Sequence, residues 1–424
     1  MAGGGGGGKE ENAMQYPPTW VVAVVYTVIV AVSFAVERFL HYGGEFLKDK
    51  KKMPLFEALQ KIKEELMVLG FISLLLTVSE DRIIKICVSP DLINKMLPCW
   101  MKRDQSNTSH ISGTARRLLA GGSASDAKAG YCALKKKVPL ISLEAIHDLH
   151  IFIFVLAIVH VIYCVLTGFF GKLKIRQWKP WEDSNATTKK NNKTEKGLNM
   201  SSWQKDSVLI GWLLSFFKQF YDSVNKSDYL TLRKGFIRTH DANPNFDFHK
   251  YMIVAMEDDF KQVVGISWYL WIYVVIFFLL NVNGWYTYFW IGFIPFFLLL
   301  AVGTKLEHVI IQLTDDIESS KSSDDHYFWF KQPRYVLFLI HFILFQNSFE
   351  IAFFFWIWLK VTYTIDSCVM GRVSYIIVRL VIGVFIQVLC SYSTLPLYAL
   401  VTQHRGDHFK KEIFDELNEK ASGP

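Results

Sequence analysis

Long uncharged runs alternate with shorter charged ones along most of this chain, and a run of about 20 apolar residues is what a helix needs to cross a bilayer. Seven such stretches are legible, at about 20–37, 64–84, 151–171, 263–283, 284–304, 335–359 and 373–401. The second is the shortest: Leu66 to Ser79 holds 14 uncharged residues, with Lys61, Lys63 and Arg82 placed to snorkel at its ends. Val263 to Thr304 is 42 residues without a charge. As one helix that run would measure about 63 Å, twice a bilayer, so Asn281-Val-Asn-Gly284 is read as the break between two spans. The pattern predicts an all-α integral membrane protein of seven transmembrane helices. A disordered glycine-rich tail (1–19), a loop over 86–148, a loop over 172–262 and a short tail (402–424) complete it. Glu37 to Glu64 reads as an interfacial helix. Phe246 to Val264 has apolar residues at helical spacing with Glu257, Asp258 and Asp259 opposite, and is expected to lie along the membrane face.

Composition agrees with this class and excludes others. The chain is 51% hydrophobic, 15% aromatic and 20% charged, with a net charge of +7 whose lysines are scattered among acids. Membrane lipids are the expected partner and nucleic acid is not. Orientation follows from the short connections. If the N-terminus is extracellular and the C-terminus cytoplasmic, the inner segments 38–64, 305–334 and 402–424 carry seven, four and four Lys/Arg, against one before the first span and two around Cys368. The same topology puts Cys87, Cys99, Cys132 and Cys368 outside, where two disulfides are expected with three pairings open, at least one bond tying Cys368 to the 86–148 loop. Asn107 would be the glycosylated sequon, while Asn185, Asn192, Asn199 and Asn225 would stay unmodified inside.

Chemistry is sparse within the spans. Glu350 and Arg379 are the charges of the two strongest apolar stretches and lie at similar depth, Glu350 about 10 residues inward of Lys360 and Arg379 about 7 inward of Arg372, so a paired hairpin is expected. Gln346, Asn347 and Gln387 would extend a polar path beside the pair. His160 reads as a packing residue. His147, Asp148 and His150, with His160 and His341, superficially resemble dispersed zinc ligands, but no HExxH, GxSxG or P-loop pattern occurs. Neither an enzyme nor a cofactor or metal site is expected. Asp315, Asp316, Glu318, Asp324 and Asp325 lack EF-hand spacing and read as a solvated loop. Trp178 and Trp181 fit an interfacial aromatic belt.

From Pro18 to about Lys411 the residues resemble the plant MLO (mildew resistance locus O) family. The motifs that carry the resemblance include PTWVVAVV, ELMVLGFISLLLTVSED, RRLLAGG, HIFIFVLAIVHVIY, IRQWKPWED, DYLTLRKGFIRTH, QNSFEIAFFFWIW and CSYSTLPLYALVTQ. The resemblance implies a seven-helix plasma-membrane protein with an extracellular N-terminus, in which Cys87, Cys99, Cys132 and Cys368 matter. It implies modulation of plant defence and cell death, with powdery mildew susceptibility under calcium/calmodulin control. Calcium-permeable channel activity and a receptor-like scaffold are the alternatives. It also implies a basic, Trp-bearing calmodulin-binding helix after the last span. Here the tail reads as shortened. Phe409, Lys410, Lys411, Ile413, Phe414 and Leu417 form a remnant of such a helix without its Trp, so weak or absent calmodulin binding is expected.

Overall fold

The computed structural model describes residues 19–50, 52–89, 132, 137–141, 143–188, 215–218, 220, 224–279, 291–319, 332–363, 373–404 and 409–422. It falls into two compact units, 1–60 and 61–424. In the first, helix α1 (Thr19–Asp49) is followed by the start of α2 (Met53–Ile83). An interfacial helix over 37–64 does not form as a separate element: α1 runs on to Asp49, and α2 begins with Pro54 in its first turn, where a missing N–H costs nothing.

The second unit takes up α2 from Lys61. A two-residue ladder of β1 (Cys87–Val88) and β2 (Val138–Pro139) then pairs Cys87 with Pro139 and Val88 with Val138. Helix α3 (Leu143–Thr188) is 46 residues long. At 1.5 Å per residue that is about 69 Å, far more than a bilayer needs, so α3 is long enough to cross and to project well beyond. Helices α4 (Lys226–Thr239), α5 (Phe248–Val264), α6 (Trp268–Leu279), α7 (Ile294–Glu318), α8 (Arg334–Tyr363) and α9 (Val373–Leu389) follow. A π turn, Cys390–Thr394, leads into α10 (Leu395–Thr402), and α11 (Lys411–Ser422) comes last.

Exposure identifies the lipid face. On α3 the exposed large side chains are Ile151, Phe154, Ile158, Ile162, Val165 and Phe169, spaced three or four apart, and α9 shows Ile377, Val381, Val384 and Val388 in the same way. Such a stripe is costly in water and correct against acyl chains. Among the described residues four helices are long and apolar enough to cross a membrane: Glu144–Ser184, Ile294–Glu318, Arg334–Leu359 and Ile377–Thr402. The pair α5 and α6, bent by 45°, makes a fifth if it is one span. Of these, α8 is the central one, with 72% of its apolar window buried against 33% for α3.

Aromatic rings fill the space around α8. Phe349 meets Phe277 edge-on at 4.9 Å and Phe152 at 5.8 Å, and Phe353 lies 5.5 Å from both Phe277 and Trp356. Lipid tails are as apolar as these rings, so close packing and edge-to-face geometry hold the helices together where the hydrophobic effect does not.

Three further expectations need correction. The fourth span does not run unbroken from Val263, because the helix stops at Val264 and resumes at Trp268. The stretch from Phe246 to Val264 is helical from Phe248, but Glu257 and Asp259 are buried, so it packs on both sides and presents no solvated acidic face. Trp178 is 1% exposed against Tyr229, ring centroids 5.8 Å apart, and is a packing residue where a belt position was expected.

Candidate functional site

The break between α5 and α6 leaves backbone groups without helical partners, and side chains from three other helices take them up. His160 Nε2–H on α3 donates to the Val264 carbonyl (3.0 Å) and His341 Nε2–H on α8 to the Gly265 carbonyl (2.5 Å). A carbonyl only accepts, so both imidazoles carry their proton on Nε2, and His341 Nδ1 is left to accept the Tyr269 hydroxyl at 2.9 Å. On the other side of the break the Ile266 N–H donates to Glu65 Oε1 of α2 (2.9 Å). Gly265 lets the end of the Lys61 side chain lie against the break, and a Cβ there would push it aside. Non-helical backbone at such a position is tolerated only with this kind of substitution. A small cavity lies alongside, lined by His160, Tyr163, Cys164, Thr167, Phe260 and Ser348.

From this cavity a polar seam runs between α3, α8 and α9. Arg379, Gly383, Gln387 and Ser391 recur every four residues and so share one face of the last span. Arg379 Nη2 donates to Glu350 Oε2 at 2.9 Å, and Gln346 Nε2 donates to the other carboxylate oxygen at 2.5 Å. Gly292, at the entry to α7, makes room for the guanidinium, since a Cβ there would collide with it. One turn on, Asn347 Nδ2 donates to the Gly383 carbonyl (2.9 Å). A further turn on, Gln387 Nε2 reaches Thr167 Oγ1 (2.9 Å), the Tyr163 carbonyl (3.2 Å) and Ser391 Oγ (3.2 Å). Gln346 Oε1 and Gln387 Oε1 are buried and find no hydrogen-bond partner among the described residues. The seam ends at the π turn, where Ser391, Ser393 and Thr394 are buried; such turns widen a helix by one residue and recur at functional positions.

Beyond the spans, the end of α3 joins α4 and α5 in a helical layer. Glu182 accepts from Arg233 Nε (2.8 Å) and from the Tyr229 hydroxyl (3.0 Å), His249 Nε2–H donates to the Ile175 carbonyl (3.0 Å), and Lys172 pairs with Glu257 (2.9 Å). The segment after the last span is clasped by this layer. Phe409 stacks on His240 with centroids 4.0 Å apart and planes at 6°, and Phe414 packs on Phe246 at 5.2 Å. The Lys410 ammonium pairs with Asp258 and lies 4.0 Å from Asp259, while the Lys410 backbone N–H donates to the Tyr251 hydroxyl (3.2 Å), which in turn donates to Gln403 Oε1 (2.7 Å). Asn243 N–H donates to Asn418 Oδ1 (2.8 Å).

Of the residues singled out by sequence, Glu350 with Arg379 and Cys87 with Cys132 are brought together, the latter as a disulfide with Cα atoms 5.5 Å apart. Cys99, Cys368 and Asn107 lie outside the described residues. Phe414 and Leu417 are buried, Phe409, Lys410 and Ile413 half-buried, and Lys411 exposed. His160 and His341 meet at the helix break, on adjacent carbonyls, and not as part of a metal site. His150 Nε2–H donates to the Ser73 carbonyl (3.0 Å), and among the described residues no group of three metal-ligating side chains forms. Glu65 and Tyr269 carried no signal of a role in the sequence; Gly265, the sole glycine of its helical stretch before Asn281, was the one hint.

Lipid-facing stripes on α3 and α9, with the charged groups of the last two spans turned onto each other, define a polytopic helical membrane protein. Comparison with known proteins narrows this. The Mlo family matches residues 11–422, and the chain belongs to that family. It is 59% identical to MLO-like protein 1 of Arabidopsis thaliana, covering 95% of this chain and 84% of that protein. It is 52% identical to MLO-like protein 15 of the same plant (96% and 87% covered) and 42% identical to MLO protein homolog 1 of Oryza sativa subsp. japonica (95% and 77% covered). No solved structure matches.

Proposed function

We propose that this chain is a seven-span plasma-membrane regulator of plant defence and cell death, with its N-terminus outside, its C-terminus in the cytosol, and an effect on powdery mildew susceptibility. Membership of the Mlo family over residues 11–422 is the observation that carries the reading. The excess of Lys/Arg on the segments 38–64, 305–334 and 402–424 supports the orientation. In this reading the helical layer and the clasped segment 409–422 face the cytosol, where a calcium-sensing partner would meet them. The test is expression in a mildew-resistant plant lacking its own related proteins: restored fungal entry supports the proposal, and continued resistance at normal protein levels opposes it.

A second reading, a calcium-permeable path, is favoured by one observation, the buried polar seam with orphan amide oxygens at Gln346 and Gln387 beside a broken span. Buried, unsatisfied polar groups in hydrocarbon are expensive, and spans that keep them commonly line a route for a polar species. Calcium currents in cells expressing the chain, reduced by Gln387→Leu at equal surface level, would support a path. Absence of current would leave the regulator reading alone.

A further inference from the structure

Residues 215–218 form a helical turn between α3 and α4, and that turn sits beside the spans. Phe220 stacks on Phe385 of α9, centroids 6.2 Å apart and planes at 24°, and Phe385 lies 6.3 Å from Phe296 of α7. Phe385 belongs to the lipid face of α9, between exposed Val384 and Val388, and beyond Val388 no residue as far as Gln403 is exposed. Phe220 therefore extends the lipid-facing surface at its last turn.

Side chains on this turn are arranged inside out for a water-facing segment. Phe217 is 55% exposed and Phe220 38%. The one cation, Lys218, turns inward, with Nζ 2.8 Å from Asp228 and 4.0 Å from buried Glu307. In water a lysine extends outward and aromatic rings pack in, because the ammonium gains hydration and the ring loses water contact. The reversed order fits a medium that solvates rings and not charge. The sequence leading into the turn, Ser207 to Phe217, is 11 residues without a charge. Eleven residues are about half of the roughly 20 that crossing a bilayer needs.

We infer that Phe217 and Phe220 are inserted among the acyl chains of the leaflet bordering the C-terminal half of α7, with membrane lipid as the partner and the Lys218 pairs with Asp228 and Glu307 as the tether. The inference rests on α3, α7 and α9 being spans. Aromatic rings at the edge of the hydrocarbon region anchor a segment to that depth, so the 172–262 connection is held to the bilayer at this turn.

The test places an environment-sensitive fluorescent amino acid at 169, 217 or 245 in the full chain, reconstituted in phosphatidylcholine vesicles, and compares quenching by doxyl-labelled lipid with quenching by iodide. Phe169 is a lipid-facing position of α3 and Asn245 an exposed polar turn. The inference expects position 217 to follow 169, with strong doxyl and weak iodide quenching, and 245 to show the reverse. Iodide quenching at 217 equal to that at 245, with 169 still quenched by doxyl lipid, would overturn it. Loss of doxyl quenching at 169 as well would overturn the span assignment itself.

Discussion

At the scale of single residues, the Glu350–Arg379 pair sets the clearest expectation. Each side chain is mostly buried and compensates the other, so removing one leaves a charge in an apolar surround, which in buried pairs costs about 3–5 kcal/mol. Glu350→Gln and Arg379→Gln should each lower the yield of folded protein in size-exclusion profiles. The double change should recover much of it, and a double mutant no better than the singles would deny the coupling. Gly292→Ala should behave like Arg379→Gln, because its Cβ takes the place of the guanidinium. Outside the spans, His404 offers a pH test. Its Nε2 is 2.8 Å from the Leu232 carbonyl and its Nδ1 3.2 Å from the Leu400 carbonyl. Burial lowers its pKa, the two carbonyls favour the cation, and nearby His240 opposes it, for a net downward shift. His240 is itself shifted down by burial. A histidine with a folded pKa below its unfolded value contributes stability that is present above about pH 6.5 and is lost as pH falls toward the folded value. Melting temperature in detergent should therefore drop on acidification through that range, and drop less in His404→Gln. A melting temperature that rises on acidification would reverse the sign argued here.

At the scale of elements, α11 and the residues before it matter most, because the apolar face that resembles a partner-binding stripe is already occupied. Phe414 and Leu417 are buried against α4 and α5, and Lys410 is held by Asp258. Any protein that takes this face in its own groove must first displace it, a cost that reduces apparent affinity. Phe414→Ala with Leu417→Ala should raise amide hydrogen exchange across 411–422 while leaving the exchange of α8 unchanged. Faster exchange throughout the molecule would mean the segment is part of the global core. A peptide covering 402–424 should bind calmodulin weakly or not at all in calcium, and a tight complex would show that neither the missing Trp nor the balance of acids and lysines matters. The π turn is a second device at this scale. Deleting Tyr392 would turn α10 by about 100° relative to α9, and should expose the buried Leu395–Thr402 face and abolish folded protein.

At the scale of the whole molecule, the proposed orientation predicts that Asn107→Gln alone removes any glycan, and a glycan on Asn192 or Asn225 would invert the topology. With Cys132 taken by Cys87, non-reducing peptide mapping should find Cys99 joined to Cys368. Membrane class, helices over the apolar stretches 151–171, 335–359 and 373–401, and the pairing of Glu350 with Arg379 were legible in the sequence alone. The reason is that bilayer thickness converts span length and charge depth into distances along one helix, which a local window contains. The stop at Val264, the burial of Glu257, Asp259 and Trp178, the capping work of His160, His341 and Glu65, and the clasp on Phe409 and Phe414 were decided only by tertiary structure. His160 and Val264 are 104 residues apart, and Tyr251 and Gln403 152 apart. Whether a polar or apolar side chain at such a position faces lipid, water or another helix depends on which distant backbone arrives beside it, and no periodicity along the chain encodes that arrival.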